Sequence, residues 1–170
     1  MSVTLKTSLG ELKLELHCGK VPKACKNFLA LCASGNYTGT TFHRNIKQFI
    51  IQGGDTEKTN GKGGKALAGE AGYLEHEIRP ELKHDRRGVV AFADTGKMQK
   101  IGSQFYITYK RLGNLDGRYT VIGRVIDGFE TLQKMEESPV GDEKKARPIK
   151  DIVIEAVEIH ANPIADEEGH

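Results

Sequence analysis

Apolar and polar residues alternate strictly in two segments near the ends of the chain. In VTLKTSLGELKLELH, residues 3–17, the alternation runs on both sides of a short Ser-Leu-Gly sequence. A period of two places apolar side chains on one face of a strand, so this segment predicts a β-hairpin. IVIEAVEIH, residues 152–160, alternates in the same way and predicts a last strand.

Two other segments carry apolar residues at helical spacing. In VPKACKNFLALCASG, residues 21–35, they recur every three or four positions after a proline that suits a first helical turn, and Gly35 can end the helix. The segment GFETLQKMEES, residues 128–138, predicts a second helix with Phe129, Leu132 and Met135 facing inward.

Five more strand candidates complete the pattern. Two lie within residues 42–54, and one each lies at 88–94, 103–109 and 120–126. The helices do not alternate regularly with the strands, which argues against a parallel sheet. Eight antiparallel strands can close into a barrel whose interior is filled by side chains. We therefore predict a mainly β fold, a closed eight-stranded antiparallel barrel capped by two α-helices.

Composition narrows the class of protein. The 170 residues are 38% hydrophobic and 28% charged, which fits one soluble domain. We place this domain at residues 1–162, with a short, frayed acidic tail at 163–170. The net charge of +2 argues against nucleic-acid or membrane partners. No apolar run reaches ~20 residues and no secretory signal is visible, so the three cysteines indicate reduced thiols inside a cell.

Several motifs suggest chemistry that their context does not support. The cysteines are seven residues apart and the six histidines are scattered, which argues against a zinc site. GKGGK, residues 61–65, lacks the spacing of a phosphate-binding loop and predicts a flexible surface loop. Nothing around Ser103 resembles a nucleophile elbow, and His43 is interpreted as a packed histidine.

Polar residues at Arg44, Gln52 and Gln104 interrupt three otherwise apolar strands. On a period of two, Ile50 shares a face with Gln52, and Tyr106 shares a face with Gln104. A single arginine on a strand is usually solvated, but three strands with a polar group beside an apolar one suggest a face that binds a ligand.

The stretches FHRNIKQFIIQGGD, GKGGK, GSQFYITY and LDGRYTVIGRVIDG resemble the cyclophilins, which are peptidyl-prolyl cis–trans isomerases. The resemblance runs from about residue 2 to about residue 160 and implies an eight-stranded barrel with two helices. MSVTL, NFLALCAS, FHRNIK and IHANP are most similar to the cyclophilin J subgroup (isomerase-like protein 3). That subgroup is nuclear or cytoplasmic and is linked to spliceosomes.

The resemblance implies a function and a set of site residues. It implies rotation about X-Pro bonds in proteins, which would assist folding or the remodelling of complexes such as the spliceosome. No cofactor or metal is implied, the partners are proline-containing peptides and proteins, and we expect a monomer. The implied catalytic residues are Arg44 and Gln52. The implied substrate-binding residues are Phe49, Ile50, Gln104, Tyr106, Leu115, Tyr119, Asp94 and Thr95. Placing both Phe49 and Ile50 beside Gln52 requires a bend or bulge near Lys47-Gln48.

The sequence departs from the family pattern at positions that bear on substrate range. Asp94-Thr95 replaces Asn-Ala or Asn-Asn, and the following GKMQKI differs from the usual Gly-Pro-Asn-x-Asn. The usual Phe-Glu-Asp-Glu is replaced by Leu-Glu-His-Glu at residues 74–77. Asn114 stands where tryptophan helps to hold cyclosporin, so cyclosporin binding does not carry over to this chain. These departures leave open an alternative function as a proline-peptide binding module or scaffold with incidental isomerase activity. A non-enzymatic structural barrel is a third, weaker possibility.

Overall fold

Eight antiparallel strands form one curled sheet in the computed structural model, which describes residues 1–96 and 98–161. The sheet order is β3-β4-β6-β5-β7-β2-β1-β8. The predicted antiparallel sheet is confirmed, whereas the predicted tail at 163–170 lies outside the described residues. The elements are β1 (Ser2–Thr7), β2 (Gly10–Leu16), α1 (Pro22–Ala33), β3 (Arg44–Ile46), β4 (Ile50–Gly53), β5 (Val89–Asp94), β6 (Ile101–Thr108), a 3-10 turn (Gly113–Leu115), β7 (Val121–Asp127), α2 (Phe129–Glu137) and β8 (Ile154–His160).

The sheet does not close into a barrel, so this part of the prediction is wrong. Strands β3 and β8 stand at opposite ends of the order and do not pair. Residues 39–42 and 152–154 form an isolated bridge at Thr41 and Val153 and a few backbone hydrogen bonds, none of which involves β3. The outer edge of β3 is already used, because Asn45 donates its backbone N–H to Ala146 (2.7 Å) and its side-chain amide to Met135 (2.8 Å). Helix α2 and the segment that contains Ala146 therefore cover the outer edge of this three-residue strand in place of β8.

Aromatic side chains fill the inside of the curled sheet. The ring of Phe28 on α1 lies 5.3 Å from that of Tyr37 and 5.4 Å from that of Phe105, measured between centroids. All three residues are fully buried. Offset and edge-to-face contacts of this kind add to the free energy gained by burial. Within the described residues, neither helix is long and apolar enough to cross a bilayer.

Helix α2 packs on the sheet through a narrower stripe than the sequence predicts. Leu132 and Met135 are fully buried, as predicted, but Phe129 is 43% exposed, so its predicted inward position is wrong. At 100° per residue, Phe129 lies roughly 110° around the axis from the centre of the stripe formed by Leu132, Met135 and the buried Thr131. Its ring covers Gly88 instead.

Strands β4, β5 and β6 are buried on both faces, which sets the position of the site. Their inner face carries Ile51, Phe92 and Phe105, which belong to the main core. Their outer face belongs to a second apolar cluster outside the curl. The members of this outer cluster are Ile50, Val89, Ala91, Ala93, Tyr106, Leu112, Leu115 and Val121, with Phe49, Leu82 and Tyr119 packed against them. An apolar cluster on the outer face indicates a surface that can bind a ligand.

Candidate active site

The sheet register lines up the polar residues that the sequence singled out. Arg44 pairs with Gln52 across β3 and β4, Gln52 pairs with Tyr106 on β6, and Tyr106 pairs with Ala91 on β5. Directly opposed residues on neighbouring strands share a face and lie about 5 Å apart. Arg44, Gln52 and Tyr106 therefore form one row across the outer face of the sheet.

A turn between β3 and β4 brings two apolar side chains to this row. Residues Lys47–Phe49 form the turn, and Gln48 has φ of 60°. Alternation restarts after the turn, so Phe49 and Ile50 both reach the groove beside Gln52. The predicted bend near Lys47-Gln48 is confirmed as a complete hairpin turn.

The row forms one side of a groove of about 340 Å³. Eight of the ten predicted site residues line it, and Gln104 and Thr95 do not. The lining residues are Arg44, Phe49, Ile50, Gln52, Ala93, Asp94, Gly96, Tyr106, Leu115 and Tyr119. The groove thus joins an apolar pocket to a strip of polar groups, the usual combination in a binding cleft.

Gln104 lies beneath the groove and is 1% exposed. Its Nε2 donates to the carbonyl groups of Gly61 (3.0 Å) and Gly63 (2.8 Å), and its Oε1 accepts a hydrogen bond from Nε2 of Gln52 (2.9 Å). Both donors and the oxygen of the amide are therefore used inside the protein. The side chain fixes Gln52 from below.

Thr95 is also turned away from the groove. It is 7% exposed, and its Oγ1 is buried without a hydrogen-bond partner among the described residues. The hydroxyl lies against Gly102, where a Cβ atom would come within 2.2 Å of it. Only glycine at position 102 leaves room for this side chain.

Asp55 is a structural residue of the site that sequence reasoning missed. The buried carboxylate accepts hydrogen bonds from the backbone N–H groups of Glu57 and Lys58 (both 3.0 Å), Gly61 (3.0 Å) and Gly63 (3.1 Å). Burial raises the pKa of Asp55, but these four donors outweigh it and hold the pKa below its ordinary value. The segment predicted as a flexible surface loop is therefore fastened at Gly61 and Gly63. An aspartate two residues after a strand and before a glycine-rich segment was the available signal.

A second buried network holds the floor of the pocket. The hydroxyl of Tyr106 lies 2.6 Å from Nε2 of His84, and Nδ1 of His84 lies 3.0 Å from the Asp116 carboxylate. His84 is fully buried and its ring stacks near that of Tyr106. Burial lowers the pKa of His84 and raises that of Tyr106, which keeps both groups neutral. The hydroxyl of Tyr106 therefore faces inward, and the ring is presented to the groove.

Arg44 differs from these anchored groups. It is exposed, and within residues 1–96 and 98–161 its guanidinium has no hydrogen bond or ion pair. Its neighbour His43 is 8% exposed, as interpreted from the sequence, and burial lowers the pKa of this histidine to about 4. The five N–H donors of Arg44 are available to a molecule in the groove.

Comparison with known proteins identifies the family. The protein-family model described as "Cyclophilin type peptidyl-prolyl cis-trans isomerase/CLD" matches residues 2–159. The chain belongs to the cyclophilin family. The resemblance inferred from the sequence is confirmed, and this cyclophilin is a peptidyl-prolyl cis–trans isomerase.

Individual relatives agree with the subgroup. Peptidyl-prolyl cis-trans isomerase-like 3 of Homo sapiens is 51% identical over 97% of this chain and 99% of that protein. Peptidyl-prolyl cis-trans isomerase CYP18-1 of Arabidopsis thaliana is 52% identical with the same coverage. The crystal structure of a Cryptosporidium parvum cyclophilin in the presence of the dipeptide Ala-Pro has a TM-score of 0.87. It is 50% identical to this chain and covers 95% of it and 100% of the crystallised chain.

Proposed function

We propose that this cyclophilin binds X-Pro peptides in the groove and catalyses their rotation through Arg44. The observation that carries the proposal is the contrast between an exposed, unpaired guanidinium and the apolar pocket beside it. The proline ring would occupy the pocket formed by Phe49, Ile50, Tyr106 and Leu115.

The chemistry of the amide explains why one donor is useful. Rotation about a peptide bond meets a barrier of ~18–20 kcal/mol, because the C–N bond has partial double-bond character. Uncatalysed X-Pro isomerisation takes roughly tens to hundreds of seconds. In the twisted transition state the nitrogen loses resonance and regains its lone pair. A donor placed at that nitrogen binds the twisted state more tightly than either planar state, and this difference accelerates the reaction.

Arg44 supplies only part of the acceleration. A hydrogen bond from a charged donor contributes ~1.5–3 kcal/mol, or roughly 10- to 150-fold in rate. Twisting reduces charge separation in the amide, so the apolar pocket favours the twisted form as well. No covalent intermediate is needed.

The remaining site residues receive positioning and binding roles. Gln52 lies opposite Arg44 and is held by Gln104. We therefore propose that Gln52 orients the reacting amide or the guanidinium of Arg44. Asp94 and Tyr119 line the same groove as Arg44 and would contact the peptide beside the proline. Thr95 would act through the backbone of its loop, since its side chain is buried.

The partners and location rest on the subgroup. We propose that the substrates are proline-containing proteins, spliceosomal proteins among them, and that the protein acts as a monomer in the cytoplasm, the nucleus or both. The support is the resemblance to the cyclophilin J subgroup and the identity to isomerase-like 3 proteins. Asn114 is exposed and lacks a large ring, which supports our expectation that cyclosporin binding does not carry over to this chain.

Magnetisation-exchange NMR on an Ala-Pro tetrapeptide tests the catalytic role. We expect wild type to accelerate exchange and Arg44→Ala to lose roughly 10- to 150-fold of that acceleration. Arg86→Ala, which removes an exposed arginine outside the groove, is the matched control. Equal rates for wild type and Arg44→Ala contradict the role of Arg44. Peptide binding without any exchange by wild type favours the scaffold alternative.

A further inference from the structure

A carboxylate stands at the end of the groove opposite Arg44. Asp94 is the last residue of β5, lines the groove and has a side chain that is 28% exposed. Strands β4 and β6 lie between β3 and β5. Arg44 and Asp94 are therefore three strand spacings apart, roughly 14 Å across the strands. Asp94 also lies three residues along β5 from Ala91, which is in the row of Arg44, and this adds roughly 10 Å in the strand direction. The groove has a positive end and a negative end.

His76 holds this carboxylate in place. Nε2 of His76 lies 2.6 Å from Oδ1 of Asp94. On the other side of the ring, Nδ1 lies 2.8 Å from the hydroxyl of Thr120 and accepts a hydrogen bond from the Thr120 backbone N–H (3.2 Å). A backbone N–H can only donate, so Nδ1 is an acceptor. The ring proton therefore sits on Nε2 and is donated to Asp94.

This tautomer orients the carboxylate without cancelling its charge. A neutral imidazole that donates one hydrogen bond leaves the full negative charge on Asp94. In the part of the chain that the structure describes, Oδ2 of Asp94 has no protein donor. The same charge acts on the pocket floor, where it adds to burial in raising the pKa of Tyr106.

The contact joins two of the departures from the family pattern. That pattern has an acid at the position of His76 and an amide at the position of Asp94, whereas this chain has a histidine and an acid. The negative charge is therefore on the partner that lines the groove. The two substitutions together retain a hydrogen bond and change the charge of the wall.

We propose that Asp94 makes the groove selective for proline peptides that carry a lysine or arginine side chain near the proline, at the end away from Arg44. This substrate class rests on the proposed function of the groove. Arg118 is the nearby opposing charge, with its guanidinium carbon 5.7 Å from the centroid of the Tyr119 ring. It does not pair with Asp94 in the described residues, but it weakens the local field. A partly exposed pair of this kind corresponds to a preference of about 2- to 5-fold.

Host peptides with lysine, glutamine or glutamate at each of the two positions on either side of proline test the proposal. NMR titration gives the dissociation constant of each peptide, and magnetisation exchange gives kcat/KM. We expect the affinity and kcat/KM to be about 2- to 5-fold higher for the lysine peptide than for the glutamate peptide at one or more positions. In Asp94→Asn this lysine-to-glutamate ratio should approach one. Asparagine keeps an oxygen for the Nε2 proton of His76, so this variant removes the charge while retaining the contact.

Two further variants separate local from general effects. His76→Ala leaves the charge but releases the carboxylate, so the ratio should fall less than in Asp94→Asn. A general loss of protein stability would lower the binding and turnover of all peptides equally. The lysine-to-glutamate ratio would then be unchanged. Glu155→Gln removes the same charge from an exposed position on β8 and should retain the wild-type ratio. At 1 M salt the preference should decrease, because the screening length falls to about 3 Å.

The outcomes distinguish this inference from the proposed function. Equal binding and turnover of the lysine and glutamate peptides at every position overturns the inference, and so does a preference that persists in Asp94→Asn. Failure of wild type to accelerate the glutamine peptides overturns the catalytic proposal instead. In that case the titrations still decide the charge preference, because they do not depend on turnover.

Discussion

Arg44 and Gln104 are both polar residues on apolar strands, but their surroundings are opposite. Arg44 is exposed and has no partner in the described residues, whereas Gln104 is 1% exposed and makes three hydrogen bonds. We call Arg44 the free side of the site, because its guanidinium donors are available to substrate. We call Gln104 and the buried groups connected to the site the anchored side, because their hydrogen bonds hold neighbouring groups in place.

The anchored side reaches well beyond the groove. Asp55 fixes the loop whose carbonyl groups hold Gln104, and Asp116 fixes His84, which holds Tyr106. Groups fixed in this way need little reorganisation when the substrate twists, which is how a site favours a transition state. The comparison therefore separates residues whose loss reduces stability from those whose loss reduces catalysis.

The largest expected effect is on the anchored side. Asp55→Ala removes a buried acceptor and leaves four backbone N–H groups without their partner, so we expect the free energy of unfolding to fall by about 3 kcal/mol. Urea unfolding measures the loss. Asp151→Ala, at a carboxylate whose side chain is 57% exposed, should cost less than about 0.5 kcal/mol. A loss below about 1 kcal/mol for Asp55→Ala would show that the loop is not held by this carboxylate.

The free side should respond in the opposite way. Arg44→Lys keeps the positive charge but loses the planar fork of donors, and we expect kcat/KM to fall by about 10-fold while the free energy of unfolding changes by less than about 0.5 kcal/mol. Exchange NMR and urea unfolding on the same samples measure both quantities. Arg86→Lys should change neither. A destabilised Arg44→Lys protein would mean that Arg44 belongs to the anchored side.

The sequence predicts the free side of the site better than the anchored side. Period-two alternation locates the strands that carry Arg44 and Gln52, and their pairing follows from the short turn between them. The resemblance then supplies the roles. Local pattern is sufficient here because the residues are close in sequence and lie on regular elements.

The anchored side depends on contacts that no periodicity reports. His84 and Asp116 lie in irregular segments 32 residues apart, and both form hydrogen bonds that the sequence pattern does not signal. Alternation places Gln104 on a face with Tyr106 but does not show that a loop covers it. The open end of the sheet was missed for a related reason, since the backbone of Ala146 occupies the edge of β3. Tertiary contacts decide each of these points.

A smaller effect tests a single link of the anchored side. Tyr106→Phe removes the hydroxyl that donates a hydrogen bond to Nε2 of His84. We expect a loss of about 1 kcal/mol in the free energy of unfolding. The cost arises because a buried ring nitrogen is left unpaired. Tyr73→Phe, at a half-buried tyrosine without a described hydroxyl contact, is the control and should be neutral. An unchanged Tyr106→Phe protein would indicate that His84 is held by Asp116 alone.

The smallest effect is a pH dependence of the same anchored side. The folded-state pKa of Asp55 lies below its ordinary value, so the folded protein binds fewer protons at this group than the unfolded chain. Its contribution to stability is therefore complete above the unfolded-state pKa of about 3.9 and is lost as the pH falls through the folded-state pKa. Urea unfolding of wild type and Asp55→Asn between pH 6 and pH 3 isolates this contribution, because other carboxylates titrate in both proteins. We expect the stability advantage of wild type to be constant from pH 6 to about pH 5 and to shrink below about pH 4. An advantage that grows on acidification would require a raised pKa, and the four backbone donors would then fail to outweigh burial.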